Sequence, residues 1–300
     1  MKNRYIKLSH YLKDTYKREV KKVCIDGGFS CPNRDGTVGT GGCIFCSGGG
    51  SGEHMKNRKL SISEQVKKRV DARKAIGKEQ AGLILYFQNF TNTYAPIDVL
   101  HNRYEDAIYA AEGNAVCLAI GTRPDCIDQD VVETLINLKH EYKIDIWVEL
   151  GLQTSNDETA KLINRGYKSE QFTNAVWLLQ YHGIKVVTHI ILGLPGETIK
   201  DIKRTVRFVN KHKVWGIKLH ALYILKESKL AKMYLAKEFV PISMETYIDW
   251  AKVVLSKIRK GTVVHRFTSE ADENEILAPM WVLNKEEITQ KITGISGGVK

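Results

Sequence analysis

Of the six cysteines in this chain, three crowd into one segment: Cys31, Cys43 and Cys46. The segment runs Cys31-Pro32-Asn33-Arg34-Asp35-Gly36 and then Gly41-Gly42-Cys43-Ile44-Phe45-Cys46. Cys43 and Cys46 form a Cys-x-x-Cys knuckle that can grip a metal or cluster from a tight turn. Gly41 and Gly42 permit the positive φ angles such a turn needs. Six cysteines among 300 residues are too few for a disulfide scaffold, so a tight thiol group points to metal binding or catalysis. Three thiolates leave one coordination place open. A structural zinc wants four closed ligands. A [4Fe–4S] cluster held by three cysteines leaves one iron free to bind a substrate or cofactor. The ligand count favours the open iron–sulfur site. A zinc closed by Cys24 as fourth ligand is the main alternative, and a chance grouping is the third. Against zinc, Cys24 lies inside an apolar strand pattern and no second knuckle exists.

The elements around this loop read as alternating strands and helices. The first strand, over 22–26, ends at Gly27-Gly28, just before the cysteine loop. Further strands are predicted over 83–87, 115–120, 144–152, 184–192 and 216–224. Helices are predicted between them over 62–76, 97–111, 129–140, 157–182 (in two pieces broken at Gly166) and 198–211, with Ser61 or Ser63 capping the first. Six strand–helix units with near-continuous apolar strands suit a parallel sheet buried on both faces. A full barrel of eight units needs about 250 residues. The expected fold is therefore α/β: an incomplete six-stranded (βα)6 barrel, open on one side. Residues 1–225 would form this core with a basic N-terminal arm, and 226–300 a small C-terminal appendage. An open doubly wound sheet is the runner-up. In either fold the chemistry belongs at the C-terminal ends of the strands, where the polar and Gly-rich segments fall.

The chain is 43% hydrophobic and 26% charged, which excludes wholesale disorder. Its apolar runs are too short to span a membrane, and no apolar stretch of signal-peptide type precedes Cys24. A soluble, cytoplasmic protein is expected. The net charge is +11, from 45 Lys and Arg against 34 Asp and Glu, as an enzyme handling a polyanion would carry. Ordinary solvated lysines on helix faces are the plainer explanation. The basic residues fall in three groups. The N-terminal arm carries Lys2, Arg4, Lys7, Lys13, Lys17, Arg18, Lys21 and Lys22, interleaved with Tyr5, Tyr11 and Tyr16; such an arm can stack on bases and neutralise phosphates. A second group begins with Lys56, Arg58 and Lys59 and continues along the first predicted helix; a third lies on the helix over 198–211. His189 and His220 read as hydrogen-bonded core histidines, and Cys117 as a small core hydrophobe.

A three-cysteine loop after the first strand of a partial barrel resembles the radical S-adenosylmethionine (SAM) superfamily. The usual spacing there is Cys-x3-Cys-x2-Cys, and the longer first gap here resembles the YhcC/YtqA-type subfamily. The likeness continues through Tyr86-Phe87-Gln88-Asn89-Phe90-Thr91-Asn92, Gly121-Thr122-Arg123-Pro124-Asp125, Glu149-Leu150-Gly151-Leu152-Gln153-Thr154, His189 through Glu197, Lys218-Leu219-His220 and Ala278-Pro279-Met280-Trp281, and so covers nearly the whole chain. Several segments are also similar to the radical SAM domain of the elongator catalytic subunit, which modifies wobble uridine in tRNA.

The resemblance implies a [4Fe–4S] cluster on Cys31, Cys43 and Cys46, with SAM on its open iron and an electron donor such as flavodoxin or ferredoxin. It implies that Phe45 packs near the adenine and that Gln88 and Asn89 hold the methionine amino group. Gln153 and Arg165 match positions that contact ribose and carboxylate, and Gly193 and Leu194 would let the backbone approach the adenine. For the substrate it implies tRNA, bound by its anticodon stem-loop. The reaction would convert the 5-carboxymethylaminomethyl side chain of wobble (2-thio)uridine to 5-aminomethyl. A fitting route abstracts hydrogen from the glycine-like methylene, oxidises the radical to an imine and hydrolyses it. A radical SAM enzyme for a small molecule and a zinc-stabilised RNA-binding protein are the other classes.

Overall fold

The computed structural model describes residues 4–50 and 59–294. Lys2, Lys56 and Arg58 lie outside the described residues.

The six expected strands form: β2 (Val20–Asp26), β3 (Gly82–Gln88), β4 (Ala115–Thr122), β5 (Asp145–Gln153), β6 (Lys185–Leu192) and β7 (Gly216–Ala221). They pair side by side in chain order, every pair parallel. The sheet does not end at six. β9 (Val263–Arg266) adds to β7 and β1 (Ile6–Lys7) adds to β9, both parallel, giving eight strands with open edges at β1 and β2. The stretch beyond 225 thus donates a strand to the curled half-barrel. β9 and β1 have only four and two residues, too short for an alternation pattern to betray them. The last expected strand also ends early, at Ala221. Ile224–Leu225 (β8) turns away and pairs antiparallel with β10 (Ile276–Ala278).

The helices cover the outer face: α2 (Ile62–Lys74), α3 (Ile97–Ala110), α4 (Gln129–Tyr142), α5 (Asp157–Leu162), α6 (Ser169–Tyr181) and α7 (Ile199–Lys211). Ser61 caps α2 through a reciprocal box with Glu64, which satisfies backbone donors that a helix start leaves orphaned. α5 and α6 are separate, with Gly166 at φ 82° between them. The main core lies between sheet and helices, where Leu85, Phe87, Leu118, Leu150 and Leu219 are buried against Leu100, Leu135 and Phe172.

The arm is not a free tail. Residues Leu8–Tyr16 form α1, which lies across the N-terminal ends of the strands. Tyr11 packs edge-on against Trp215 at 4.9 Å, Tyr16 donates to Asp145 at 2.7 Å, and Tyr5 packs on Phe267 at 5.6 Å. Tyr11 and Tyr16 close the barrel bottom, while Tyr5 is packed on a ring that lines the cavity, so none of the three is a free stacking platform. Three more helices follow β8: α8 (Lys229–Leu235), α9 (Met244–Lys257) and α10 (Lys285–Thr293). No helix among the described residues is long and apolar enough to cross a membrane.

Candidate active site

The strands' C-terminal ends open into a cavity of about 1340 Å³ that runs down into the half-barrel. Cys31, Cys43 and Cys46 all line it. Their loop is held by backbone and amide contacts rather than by a strand. Buried Asn33 accepts from Gly42 N–H through its carbonyl at 2.8 Å and donates its amide to the Asn164 carbonyl at 2.6 Å. Ile44 N–H donates to the Ile163 carbonyl at 3.1 Å, and the Ile44 carbonyl accepts from Leu230 N–H at 2.9 Å. The knuckle closes with Cys46 N–H on the Cys43 carbonyl at 3.1 Å. Gly41 and Gly42 have φ of 75° and 71°, which the turn into Cys43 requires.

One of the three thiols, Cys43, is electrostatically favoured as a thiolate. Cys43 is drawn below the usual thiol range by a hydrogen bond with Cys46. Burial opposes this, while the charges of Arg123 and Arg165 and the Asn33 amide favour it. A thiolate is the form that binds metal. Among the described residues, no three His, Cys, Asp or Glu side chains converge on a single ion position. A cluster makes a different demand, because each cysteine binds a separate iron. Cys24 faces the cavity from the middle of β2, and burial pushes its thiol up. Cys117 is wholly buried among Tyr86, Trp147 and Val187.

The other expected site residues divide. Phe45, Gln88, Asn89 and Gln153 line the same cavity as the cysteines. Asn89, at φ 72°, begins the turn out of β3 and donates its amide to Asp26 at 2.8 Å. Gln153, at φ 57°, ends β5 beside the Tyr167 hydroxyl. Arg165 does not reach the cavity. It is fully buried, and its donors go to the carbonyls of Leu152, Thr154 and Tyr167 and to Asp157. It pins the end of β5 from behind. Gly193 and Leu194 also sit behind the lining. Leu194 belongs to the apolar cluster beneath Phe45, and Gly193, at φ 94°, turns its bare face to Ile242. Arg123 takes the place on the wall. It is paired with Asp125 at 2.7 and 2.9 Å and lies over the Tyr167 ring at 4.7 Å. Lys22, grouped with the arm's outer charges in the sequence, lines the cavity too.

Below the mouth lies a polar floor that motif reading passed over. Glu149 is buried and accepts from Lys218 and, at 3.0 Å, from His189. Lys218 also donates to the Tyr86 hydroxyl at 3.2 Å. His220 packs on His189 at 5.0 Å, and His265 wedges between Trp147 and Trp215. Burial would raise the Glu149 carboxyl, but Lys218 and His189 overcome it and hold it well below the usual range. Burial pushes Lys218 down to about 7 against the pull of Glu149, and His189 down to about 4. The floor thus holds a carboxylate among neutral imidazoles and a weakened ammonium. The signal was present in the sequence: Glu149, Lys218 and His220 occupy alternate, inward places of strands that are mostly apolar between their ends.

Residues 35–209 match the Radical SAM superfamily, and 214–294 match the Radical_SAM C-terminal domain. The chain is 40% identical over 288 residues to the Bacillus subtilis (strain 168) protein YtqA, covering 95% of this chain and 87% of that one. Over 162 residues it is 29% identical to a tRNA uridine(34) acetyltransferase of Methanocaldococcus infernus, covering 52% of this chain and 29% of that one. The solved structure of archaeal Methanocaldococcus infernus Elp3 superposes with a TM-score of 0.70 at 19% identity, over 92% of this chain and 63% of that one.

Proposed function

Since this chain belongs to the radical SAM superfamily, which binds a [4Fe–4S] cluster and SAM, we propose that it converts the 5-carboxymethylaminomethyl group of wobble (2-thio)uridine in tRNA to 5-aminomethyl. The observation that carries this reading is one continuous cavity with three thiols at its mouth and a charged floor below. The relative named tRNA uridine(34) acetyltransferase supports tRNA uridine as the target.

Cys31, Cys43 and Cys46 would hold the cluster. Phe45, Gln88, Asn89 and Gln153 surround the space beside it, where SAM would lie. When bound, the pair supplies a 5′-deoxyadenosyl radical, which removes a hydrogen atom from the substrate. Arg165 serves by position: it fixes the carbonyls of Leu152 and Thr154 and so the exit of β5 that carries Gln153. A base swung out of an anticodon loop can enter such a mouth, whereas a base stacked in a duplex cannot. Lys17, Arg18 and Lys21 stand exposed beside the barrel, where they can neutralise phosphates of the stem-loop. Electrons would come from a flavodoxin or ferredoxin.

The test is turnover in vitro. Reduced holoprotein and SAM are mixed with tRNA from a strain lacking the gene. The reading expects 5-aminomethyluridine and 5′-deoxyadenosine to appear in comparable amounts. Uncoupled SAM cleavage with unchanged nucleosides would refute this substrate.

A further inference from the structure

Two aromatic rings stand in solvent on the outer wall of the barrel, and neither lines the cavity. Trp177 and Tyr181 leave one face of α6 a single turn apart, 65% and 74% exposed. Their rings stack at 5.5 Å with 21° between the planes. Exposed apolar side chains scattered singly are ordinary. A stacked pair with its outer faces in water is a surface that a further flat ring can extend. The helix alongside supplies charge. α7 lies against α6, with the Gln180 amide donating to the His212 carbonyl at 3.0 Å and Thr173 hydrogen-bonded to the His212 ring at 2.9 Å. Its inner face buries Ile202, Val206 and Val209. Opposite them, Lys200, Arg204, Arg207 and Lys211 follow at i, i+4, i+7 and i+11, all exposed, and so stand in one line about 16 Å long. Among the described residues only Arg204 of the four is ion-paired, with Asp201. Over 171–182 and 202–214 the two helices carry neither Asp nor Glu, so the level of the ring pair is purely cationic.

A line of cations suits a linear polyanion, because each phosphate it meets releases a counterion. Rings beside such a line suit unpaired bases, which stack on aromatic side chains whatever their identity. A duplex could lay its phosphates on α7, but its bases would stay inside their own stack, out of reach of Trp177. An anionic membrane could meet the cations, but two rings on one helix give it little apolar area to bury. An unpaired strand uses both features at once. We infer that the outer faces of α6 and α7 form a docking surface for single-stranded RNA, with phosphates along the α7 row and a base extending the Trp177–Tyr181 stack. The choice of RNA as the polyanion rests on the tRNA reading; the stacking and the charge do not.

The test titrates anaerobic holoprotein into a fluorescein-labelled uridine decamer and, separately, a ten-base-pair RNA duplex, reading anisotropy at several salt concentrations. Trp177→Ala/Tyr181→Ala should weaken decamer binding about tenfold and leave the duplex unchanged, since only unpaired bases can use the rings. Trp177→Phe/Tyr181→Phe, which keeps two rings, should restore most of the loss. Arg207→Glu/Lys211→Glu should weaken both RNAs and flatten their salt dependence. All three double variants should cleave SAM under dithionite at the wild-type rate, because none of these side chains reaches the cavity. Decamer affinity within twofold of wild type for the Ala variant, or equal losses on decamer and duplex, overturns the surface and leaves the wobble-uridine reading standing. An unchanged decamer affinity with a lowered sedimentation coefficient would assign the rings to a second copy of the chain, and one with lost binding to phosphatidylglycerol vesicles would assign them to a membrane; either overturns the inference. A tenfold decamer-specific loss in a protein whose deletion leaves tRNA nucleosides unchanged upholds the surface and removes only the wobble-uridine reading.

Discussion

Replacing Lys218 with methionine should destabilise the folded protein strongly. Lys218 and Glu149 are each 1% exposed, and the ammonium touches both the carboxylate and, at 3.2 Å, the Tyr86 hydroxyl. Removing one partner strands a carboxylate in the barrel. His189 still donates to it at 3.0 Å, which leaves one hydrogen bond where there had been two. Breaking a buried pair from one side costs about 3–5 kcal/mol. For a domain of this size about 1 kcal/mol corresponds to roughly 2–4 °C in Tm, so the fall should be on the order of 10 °C. The double variant Lys218→Met/Glu149→Gln removes both charges and should regain most of that loss, because the penalty belongs to the stranded carboxylate rather than to lost packing. Anaerobic thermal unfolding of the four holoproteins measures the cycle. A single variant within one or two degrees of wild type, or a double variant no better than the single, would refute the argument.

Glu197 accepts from the Thr154 hydroxyl, and burial lifts its carboxyl to about 7. With the folded value above the unfolded 4.5, its contribution is full below pH 4.5 and is lost as pH rises through 7. Glu197→Gln should therefore stabilise the protein at pH 8, by up to about 3 kcal/mol, and change little at pH 4.5; urea melts at both pH values check this, and equal effects would contradict it. Single Ala variants of Cys31, Cys43 and Cys46 should lose most iron on anaerobic reconstitution while Cys24→Ala keeps it, and an iron-free Cys24 variant would mean a different ligand set. Charge reversal at Lys17, Arg18 and Lys21 should weaken tRNA binding by at least about tenfold and flatten its salt dependence, as loss of phosphate contacts requires. Unchanged binding in a filter assay would remove the arm from the interface.

Most of the central strands were legible from apolar runs and their helices from amphipathic spacing bounded by glycine or a capping residue, as with Ser61 before α2, and β2 from the glycines that end it. β1 and β9 were not, because two and four residues carry no period and their pairing is decided by the sheet edge they meet. The cysteine loop was visible from residue type alone. Arg165 shows where that kind of reading stops. A lone arginine after a helix looks available for a ligand, yet here the end of β5 and the connection between α5 and α6 leave bare carbonyls and its guanidinium is spent on them. The tyrosines of the arm fail similarly: basic and aromatic alternation fits RNA and fits the barrel bottom, and only packing against Trp215 and Asp145 separates the two. The floor was readable in principle. A lysine at 218 and a glutamate at 149 inside apolar parallel strands have nowhere to go but inward, and two opposite charges facing one interior must meet.

The central claim is that a radical generated at the cysteine mouth acts on a wobble-uridine side chain. Mass spectrometry of total tRNA nucleosides from a strain lacking this gene tests it most directly. The account predicts that 5-carboxymethylaminomethyluridine accumulates and its aminomethyl descendants fall, with both restored by the wild-type gene and not by its Cys43→Ala variant. A wobble-nucleoside profile identical to the parent strain would contradict it.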